Sequence, residues 1–247
     1  MKQNLRRVAR HLPPSAQAAL RRAEQSQPLR RSLQRVRWGS LRRLQPVSPF
    51  WGSERGTPID RYYIERFMAS HAADMRGHIL EVRDPQYTSR YSAQHTSIDI
   101  VDIDPRNDRA TIVADLAEPG SLPAGSFDCA VVPQTLVYVT DPFAATANLW
   151  QSLAPGGVLL LTVPAIARID PAFADDDRWH LTPAGLAEVI DRSCAGGASV
   201  VEAHGNPVVA VAFLHGLALE ELRQEELDAN HPHFPIVVTA AVTKRAR

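Results

Sequence analysis

The chain has 247 residues, of which 45% are hydrophobic and 22% are charged, and its formal net charge is zero. This composition excludes a largely disordered or fibrous chain, and the length suits one α/β domain with an appendage. The two cysteines, Cys129 and Cys194, are far apart in sequence, so neither a disulfide framework nor a zinc cluster is expected, and a reducing cytoplasmic compartment fits best. No apolar run approaches the roughly 20 residues of a membrane-spanning helix.

The zero net charge conceals a strong asymmetry along the chain. Residues 1–45 contain twelve Lys and Arg against one acid, about +11, and the remaining residues carry about −11. Apolar residues recur at helical spacing in this segment, as at Leu29, Leu33 and Val36. We therefore predict a basic helical arm over residues 1–45, a Pro, Ser and Gly-rich linker over 46–56 and one domain over 57–247.

Three roles are open for the basic arm. It could pack on the acidic domain, bind an anionic membrane surface as a peripheral anchor, or contact a protein partner. Nucleic acid is not expected as a partner, because the arm has no aromatic interleaving and matches no recognised nucleic-acid module.

Strand and helix patterns alternate along residues 57–247. Apolar runs of strand type occupy 78–82, 97–103, 111–113, 129–132, 158–163, 199–203 and 236–243. Helices are predicted to begin at Thr57-Pro58, with Thr57 as the N-cap, at Asp141-Pro142 and at Thr182-Pro183, and a further helix spans about 208–222. The alternation predicts a doubly wound, mostly parallel sheet with ligands beyond the carboxyl ends of its strands. We expect the last strand to insert antiparallel at the far edge.

Several motifs occur in the order and spacing of a known family. Leu153-Ala154-Pro155-Gly156-Gly157-Val158-Leu159 is the most specific of them. Phe127-Asp128 with the loop over 135–142, and Trp179-His180-Leu181-Thr182-Pro183, add to it. With these motifs, residues 57–243 resemble the class I S-adenosylmethionine-dependent methyltransferases. More narrowly, the run from Arg55 to Tyr63 resembles bacterial members found with glycosyltransferases and polysaccharide-synthesis enzymes.

The resemblance implies a seven-stranded Rossmann-like sheet, S-adenosylmethionine as the cofactor, and methyl transfer to a saccharide or small natural-product acceptor. One loop departs from the family. The family's first loop carries glycines that let the backbone approach the cofactor, whereas this chain has Glu81-Val82-Arg83-Asp84-Pro85. By this resemblance Glu81 and Arg83 are candidate cofactor-binding residues. The Arg83 guanidinium could obstruct the cofactor, contact its carboxylate, bind another anionic group, or pair with a neighbouring acid.

Other cofactor positions follow the family pattern. Asp102, or Asp104 if the register slips, corresponds to the acid that accepts hydrogen bonds from the ribose hydroxyls. Asp115 and Leu116 correspond to the adenine contacts, and Gln134 begins the loop after the fourth strand. Each also has a structural interpretation, as a turn, capping or core residue.

For catalysis, His180 is the candidate general base, because imidazole titrates near neutral pH and its loop follows the fifth strand. Tyr62, Tyr63 and Tyr138 are candidates for the acceptor pocket, although tyrosines at helical spacing also suit a core. No metal site is expected, since the acidic run 175–177 is typical of a solvated loop.

An alternative function belongs to a different class. A methyltransferase-like protein without catalysis could associate with glycosyltransferases or a membrane, with Arg83 binding an anionic ligand. A nicotinamide dehydrogenase is disfavoured, because no G-x-G-x-x-G follows the first strand.

Overall fold

The computed structural model describes Pro13 and residues 39–246. The chain divides into two units, Met1–Leu44 and Gln45–Arg247. Most of the predicted basic arm lies outside the described residues. Those residues of the first unit that are described form one 3₁₀ turn, Gly39–Leu41. The predicted division into arm, linker and domain stays a prediction.

The second unit contains a seven-stranded sheet. Its strands are β1 (Arg76–Val82), β2 (Gln94–Asp102), β3 (Ile112–Val113), β4 (Phe127–Pro133), β5 (Leu153–Pro164), β6 (Ala198–His204) and β7 (Val237–Thr243). They lie in the order β3-β2-β1-β4-β5-β7-β6, and β7 alone runs antiparallel to its neighbours. The predicted doubly wound, mostly parallel sheet is therefore confirmed.

The predicted position of the last strand was wrong. β7 is antiparallel as expected, but it lies between β5 and β6 instead of at the edge. Val237, Val238, Ala240 and Val242 of β7 are almost fully buried, as in a central strand. β6 carries mostly exposed residues and forms the edge, where a partly polar strand is better tolerated.

Six α-helices flank the sheet in the described residues. They are α1 (Ile59–Ser70), α2 (Gln86–Tyr91), α3 (Pro142–Ser152), α4 (Pro183–Ser193), α5 (Pro207–Leu214) and α6 (Gln224–Asp228). Asp141 caps α3 by accepting from the backbone N–H groups of Phe143 and Ala144, and Thr182 caps α4. These two predicted helix starts are confirmed.

Two helix predictions need correction. Thr57 does not cap α1, because its hydroxyl and backbone N–H both donate to Glu220 and the N-cap position is Pro58. The helix predicted over 208–222 ends at Leu214. Gly216 has a φ of +68°, and a Cβ there would lie 2.2 Å from the carbonyl oxygen of Ser48, so the chain turns where only glycine fits.

The apolar core forms one layer on each face of the sheet. One layer contains Phe127, Leu149, Leu159 and Leu186, and the other contains Ile59, Ile64, Ile79 and Leu160. Both cysteines are buried free thiols. Among the described residues, none of the helices combines the length and the apolar character needed to cross a bilayer.

Candidate functional site

A cleft of about 310 Å³ opens at the carboxyl ends of β1 and β2. Its lining contains three residues chosen from the sequence as cofactor contacts, Arg83, Asp102 and Asp104, together with Asp84, Arg106, Asn107 and Arg109. Adjacent parallel strands end at the same edge of the sheet, which is why residues about twenty positions apart meet here.

The backbone of Arg83, in the turn after β1, has a left-handed conformation with a φ of 75°. This conformation costs a non-glycine residue about 1–2 kcal/mol. Two hydrogen bonds fix it. The Arg83 N–H donates to the carbonyl of Val101 (2.9 Å), and the Arg83 carbonyl accepts from Asn107 Nδ2 (2.7 Å). The turn thus keeps a glycine-like backbone while carrying an exposed guanidinium.

Asp102 is oriented toward this cleft by its neighbours. Its Oδ1 accepts from the Asp104 N–H (3.0 Å), and its Oδ2 accepts from Asn107 Nδ2 (2.7 Å). A carboxylate oxygen has two lone pairs, so each oxygen of Asp102 retains acceptor capacity. Asn107 was not identified from the sequence. The sequence feature that could have indicated it is its position, five residues after Asp102, the acid that ends β2.

Asp104 is engaged differently. Its carboxylate accepts from the Arg106 side chain at 2.8–3.2 Å. These hydrogen bonds, helped by the Arg106 backbone N–H, lower the pKa of Asp104 to about 2. Asp102 therefore has more free acceptor capacity toward the cleft than Asp104.

Glu81 is buried at the end of β1. Its Oε1 accepts from the N–H of Tyr87 (2.8 Å) and its Oε2 from the N–H of Thr88 (2.9 Å). Burial raises the pKa of Glu81, and these hydrogen bonds oppose the rise. Both oxygens thus hold the first turn of α2, and the side chain does not line the cleft.

The remaining predicted cofactor residues follow β3 and β4. Asp115 accepts from the N–H of Ala117 (2.8 Å), and Leu116 is buried in the core. Gln134 has a φ of 48°, and its N–H donates to the carbonyl of Thr162 (2.8 Å). The buried Oε1 of Gln134 has no hydrogen-bond partner among the described residues, and an unpaired buried acceptor is costly.

His180 belongs to the loop after β5. Its Nε2 lies 2.9 Å from Oδ1 of Asp177. The loop is fixed to the segment after β4, because the Arg178 N–H donates to Val137 (2.8 Å) and Trp179 Nε1 donates to Val139 (2.9 Å). Asp177 was not singled out within the acidic run, since sequence alone does not distinguish it from its neighbours.

Tyr138 contacts the His180 loop, because its carbonyl accepts from the Arg178 guanidinium (3.0 Å). Burial raises the pKa of its hydroxyl above the ordinary 10.0, and the charges of Asp177 and Asp170 raise it further. Arg83 and Arg168 act in the opposite direction. Tyr138 therefore shares an electrostatic environment with both the candidate base loop and the Arg83 turn.

Tyr62 and Tyr63 lie on α1 and do not line the cleft at Arg83. The Tyr62 hydroxyl donates to Asp228 (2.6 Å), and the Tyr63 hydroxyl donates to the carbonyl of Leu227 (3.0 Å). Tyr63 also stacks on His204, with 5.9 Å between ring centroids. They join α1 to α6 beside a second cleft of about 270 Å³. The structure does not bring them to the Arg83 cleft, since this face of α1 packs against α6.

Two acids of the run 175–177 pair with residues close to them in sequence. Asp176 pairs with Arg178 (2.9 Å), and Asp177 pairs with His180. Among the described residues, no group of three or more His, Cys, Asp or Glu side chains is arranged to hold a metal ion.

Comparisons with known proteins bear on the fold of this chain. Residues 83–161 match the family model described as a methyltransferase domain. An S-adenosylmethionine-dependent methyltransferase from Mesorhizobium loti has a similar structure, with a TM-score of 0.51 and 19% identity, over 75% of this chain and 100% of that one. A second one, from Archaeoglobus fulgidus, gives a TM-score of 0.50 and 12% identity, over 79% and 98%. No curated protein matched the sequence.

The chain therefore has the fold of the S-adenosylmethionine-dependent methyltransferases. Its match to a methyltransferase domain begins at Arg83 and ends within β5. The fold that the sequence motifs implied is confirmed.

Proposed function

We propose that this protein is an S-adenosylmethionine-dependent methyltransferase acting on a hydroxyl group of a saccharide or small natural product. One observation carries the proposal. The span that matches a methyltransferase domain, 83–161, is also the span that supplies the Arg83 turn, Asp102, Asp115 and Gln134 at the carboxyl edge of the sheet.

The residues at this edge fit the cofactor. Asp102 has free acceptor capacity for the two ribose hydroxyls, and Asp115 and Leu116 are candidates for the adenine contacts. The Oε1 of Gln134, which no other described residue engages, offers a further acceptor. At the amino-acid end, the exposed guanidinium of Arg83 suits a carboxylate. When bound, S-adenosylmethionine would supply a methyl carbon on a sulfonium, which a nucleophile attacks as the carbon–sulfur bond breaks and S-adenosylhomocysteine leaves.

His180 would accept the proton of the acceptor hydroxyl. With Nε2–H donating to Asp177, the imidazole keeps a lone pair on Nδ1. That nitrogen can take the proton as the oxygen becomes a nucleophile, and Asp177 stabilises the resulting imidazolium. Tyr138, exposed at the same edge, is the candidate contact for the acceptor.

A second function is favoured by a different observation. Arg83 stands where the family has glycine, and within 39–246 its guanidinium forms no ion pair or hydrogen bond with another side chain. A protein that had lost methyl transfer could use this arginine, with Arg109, to bind an anionic ligand. Association with glycosyltransferases belongs to this alternative, as does a purely scaffolding role.

Calorimetric titration of the full chain distinguishes the two functions. The proposed enzyme binds S-adenosylmethionine and S-adenosylhomocysteine saturably and transfers a labelled methyl group to members of a panel of hydroxylated saccharides and natural products. Absence of heat with either nucleoside at millimolar concentration, with saturable binding of pyrophosphate, would instead support the anion-binding alternative.

A further inference from the structure

Arg168 lies in the loop after β5, four residues beyond the carboxyl end of that strand. Its guanidinium stacks on the indole of Trp51, with 3.5 Å between Cζ and the ring centroid, and its side chain is 22% exposed. Stacking of this kind fixes the plane of a guanidinium and leaves its N–H groups available for hydrogen bonds. Arg168 is therefore a cation with a defined orientation at the carboxyl edge of the sheet.

Trp51 is itself held in place by its own segment of chain. The Ser48 hydroxyl accepts from the N–H groups of Phe50 (3.0 Å) and Gly52 (3.1 Å). A Cβ at Gly52 would lie 2.7 Å from the carbonyl oxygen of Leu217, so this turn packs directly on the chain that follows α5. The indole is thus a fixed support for the guanidinium.

One edge of the Arg168 guanidinium has no hydrogen-bond acceptor among the described residues. Nη1 donates to the carbonyl of Ile169 (3.2 Å). Nε is buried without a partner, and Nη2 lies 4.0 Å from Oδ1 of Asp170, which is beyond hydrogen-bond distance. A buried donor without an acceptor is costly. Because Nε and Nη2 lie side by side, they can donate together to the two oxygens of one carboxylate.

Two other arginines of this protein use the same pair of nitrogens in that way. Arg55 donates from Nε to one oxygen of Glu221 (3.0 Å) and from Nη2 to the other. Arg106 donates from Nε and Nη2 to Asp104 at 2.8–3.2 Å. At Arg168 the same two donors have no protein carboxylate within hydrogen-bond distance in the described part of the chain, so they are suited to a carboxylate on a ligand.

Two exposed aromatic rings belong to the same part of the molecule. Tyr138 follows β4 and Phe173 lies in the loop after β5; their ring centroids are 5.5 Å apart, and they are 38% and 43% exposed. The N–H of Phe173 donates to the carbonyl of Asp170 (3.0 Å), two residues from Arg168. Exposed aromatic faces can pack against the C–H groups of a sugar ring. Rings and guanidinium together suit a sugar that carries an anionic group.

The acids in this region favour a singly charged ligand group. Asp177 and Asp170 both act on the Tyr138 hydroxyl, and their charges outweigh those of the nearby arginines there. The Asp170 carboxylate also accepts from the N–H of Ala172 (3.0 Å), which holds it beside Arg168. A phosphate, with a charge of about −1.5 to −2, would be repelled by these acids more strongly than a carboxylate.

We propose that the acceptor of this protein is an acidic saccharide, whose carboxylate binds Nε and Nη2 of Arg168 and whose ring packs on Tyr138 and Phe173. The inference rests on the proposed function and specifies its substrate class. His180, the candidate base, belongs to the same loop as Arg168 and Phe173.

Titration of the full chain with sugars, followed by saturation-transfer NMR, tests this proposal. The probes are glucuronate, galacturonate and mannuronate, each beside its neutral parent sugar, together with glucose 6-phosphate. The titrations are made with and without S-adenosylhomocysteine. We expect at least one uronate to bind about tenfold or more tightly than its parent sugar and than glucose 6-phosphate, and Arg168→Ala to abolish that preference.

Arg192→Ala is the matched control. Arg192, on α4, stacks on Phe143 with 4.3 Å between Cζ and the ring centroid, and it lies 3.9 Å from Glu188. It thus reproduces the stacking and the long ion pair of Arg168 at a different place, and its variant should keep the wild-type preference. Arg168→Lys retains the charge without the paired donors, so it should keep part of the preference, and it replaces the alanine variant if circular dichroism shows that the latter is unfolded.

Three results would overturn the proposal. They are equal binding of every uronate and its parent by the wild type, an unchanged preference in both Arg168 variants, and tighter binding of glucose 6-phosphate than of any uronate. The proposed function fails separately, if S-adenosylhomocysteine does not bind. A uronate preference that depends on Arg168 would support the carboxylate subsite even then.

Discussion

The Nε2 atom of His180 lies 2.9 Å from the Oδ1 atom of Asp177, whose side chain is only 6% exposed. Asp177 is further held because its N–H donates to the carbonyl of Phe173 (2.9 Å). A largely buried carboxylate on one ring nitrogen fixes the orientation of an imidazole. This pair gives His180 a defined orientation within an otherwise exposed loop.

The pair leads to a prediction about turnover. His180→Ala should lower kcat by roughly 10²–10⁴, the usual contribution of a general base, with cofactor affinity nearly unchanged. Asp177→Asn should lower kcat less, because the amide keeps the shape but loses the charge. His95→Ala is the control, since His95 is exposed at the start of β2. A lower melting temperature without a specific loss of kcat would show that His180 is structural.

The arrangement around Asp102 leads to a prediction about cofactor binding. Asp102→Ala should weaken S-adenosylhomocysteine binding by about 1–3 kcal/mol, roughly 5- to 150-fold, because the ribose hydroxyls lose a charged acceptor. Asp104→Ala, which removes a carboxylate already engaged by Arg106, should change the affinity by less than about twofold. Calorimetry of both variants gives the comparison. If both bind alike and are folded, Asp102 is not a ligand.

Arg83 leads to a prediction that distinguishes two roles of its guanidinium, binding of the cofactor carboxylate and obstruction of the cofactor site. If its guanidinium binds the cofactor carboxylate, Arg83→Ala should weaken S-adenosylhomocysteine binding by about 1.5–3 kcal/mol. Binding of 5′-methylthioadenosine, which lacks the amino-acid part, should not change. Arg83→Gly should bind the cofactor as weakly as the alanine variant. Its backbone would adopt the φ of 75° without the strain that a side chain causes there. Tighter binding of both nucleosides by the glycine variant would mean that Arg83 obstructs the site.

The sequence was informative where a short motif determines a local structure. The Pro-Gly-Gly entry to β5 and the capping residues Asp141 and Thr182 are local signals of this kind, and the structure has those elements where they were expected. Asp102 and Arg83 were found because strand ends converge at one edge of a parallel sheet.

The features that sequence reasoning did not anticipate depend mainly on tertiary neighbours. Tyr62 and Tyr63 face α6, a helix of only five residues, which has no periodic pattern to announce it. Thr57 has the composition of an N-cap, but Glu220, 163 residues away, engages it. Asn107 is an ordinary loop residue until the fold brings Arg83 beside it. Asp177 is three residues from His180, and only the conformation of their loop distinguishes it from the other two acids of the run.

Glu81 leads to a prediction about stability. Glu81→Ala should lower the free energy of unfolding by about 2–4 kcal/mol, because the N–H groups of Tyr87 and Thr88 lose their buried acceptors. Glu81→Gln should cost less, since its amide oxygen still accepts one of these bonds. Urea denaturation measures both. Equal stability of the alanine variant and the wild type would mean that water or a backbone shift satisfies the first turn of α2.

The last prediction concerns pH and His204 at the end of β6. Its Nε2 lies 2.9 Å from the Thr239 hydroxyl, and its ring stacks on Tyr63. Burial lowers the pKa of His204 below its ordinary 6.5; Glu202 opposes this, and the charge of Arg66 adds to it. The folded protein therefore binds the histidine proton less readily than the unfolded chain.

The sign of the effect follows from proton linkage. Below pH 6.5 the unfolded chain gains the proton first, so the free energy of unfolding should fall as the pH falls from 6.5 through the lower, folded pKa. His204→Gln should show a shallower decline over this range in urea denaturation between pH 8 and pH 5, because it removes the titrating group. His95→Gln, at an exposed position, should retain the wild-type slope. Parallel curves for the wild type and His204→Gln would show that His204 does not contribute to the loss of stability in acid.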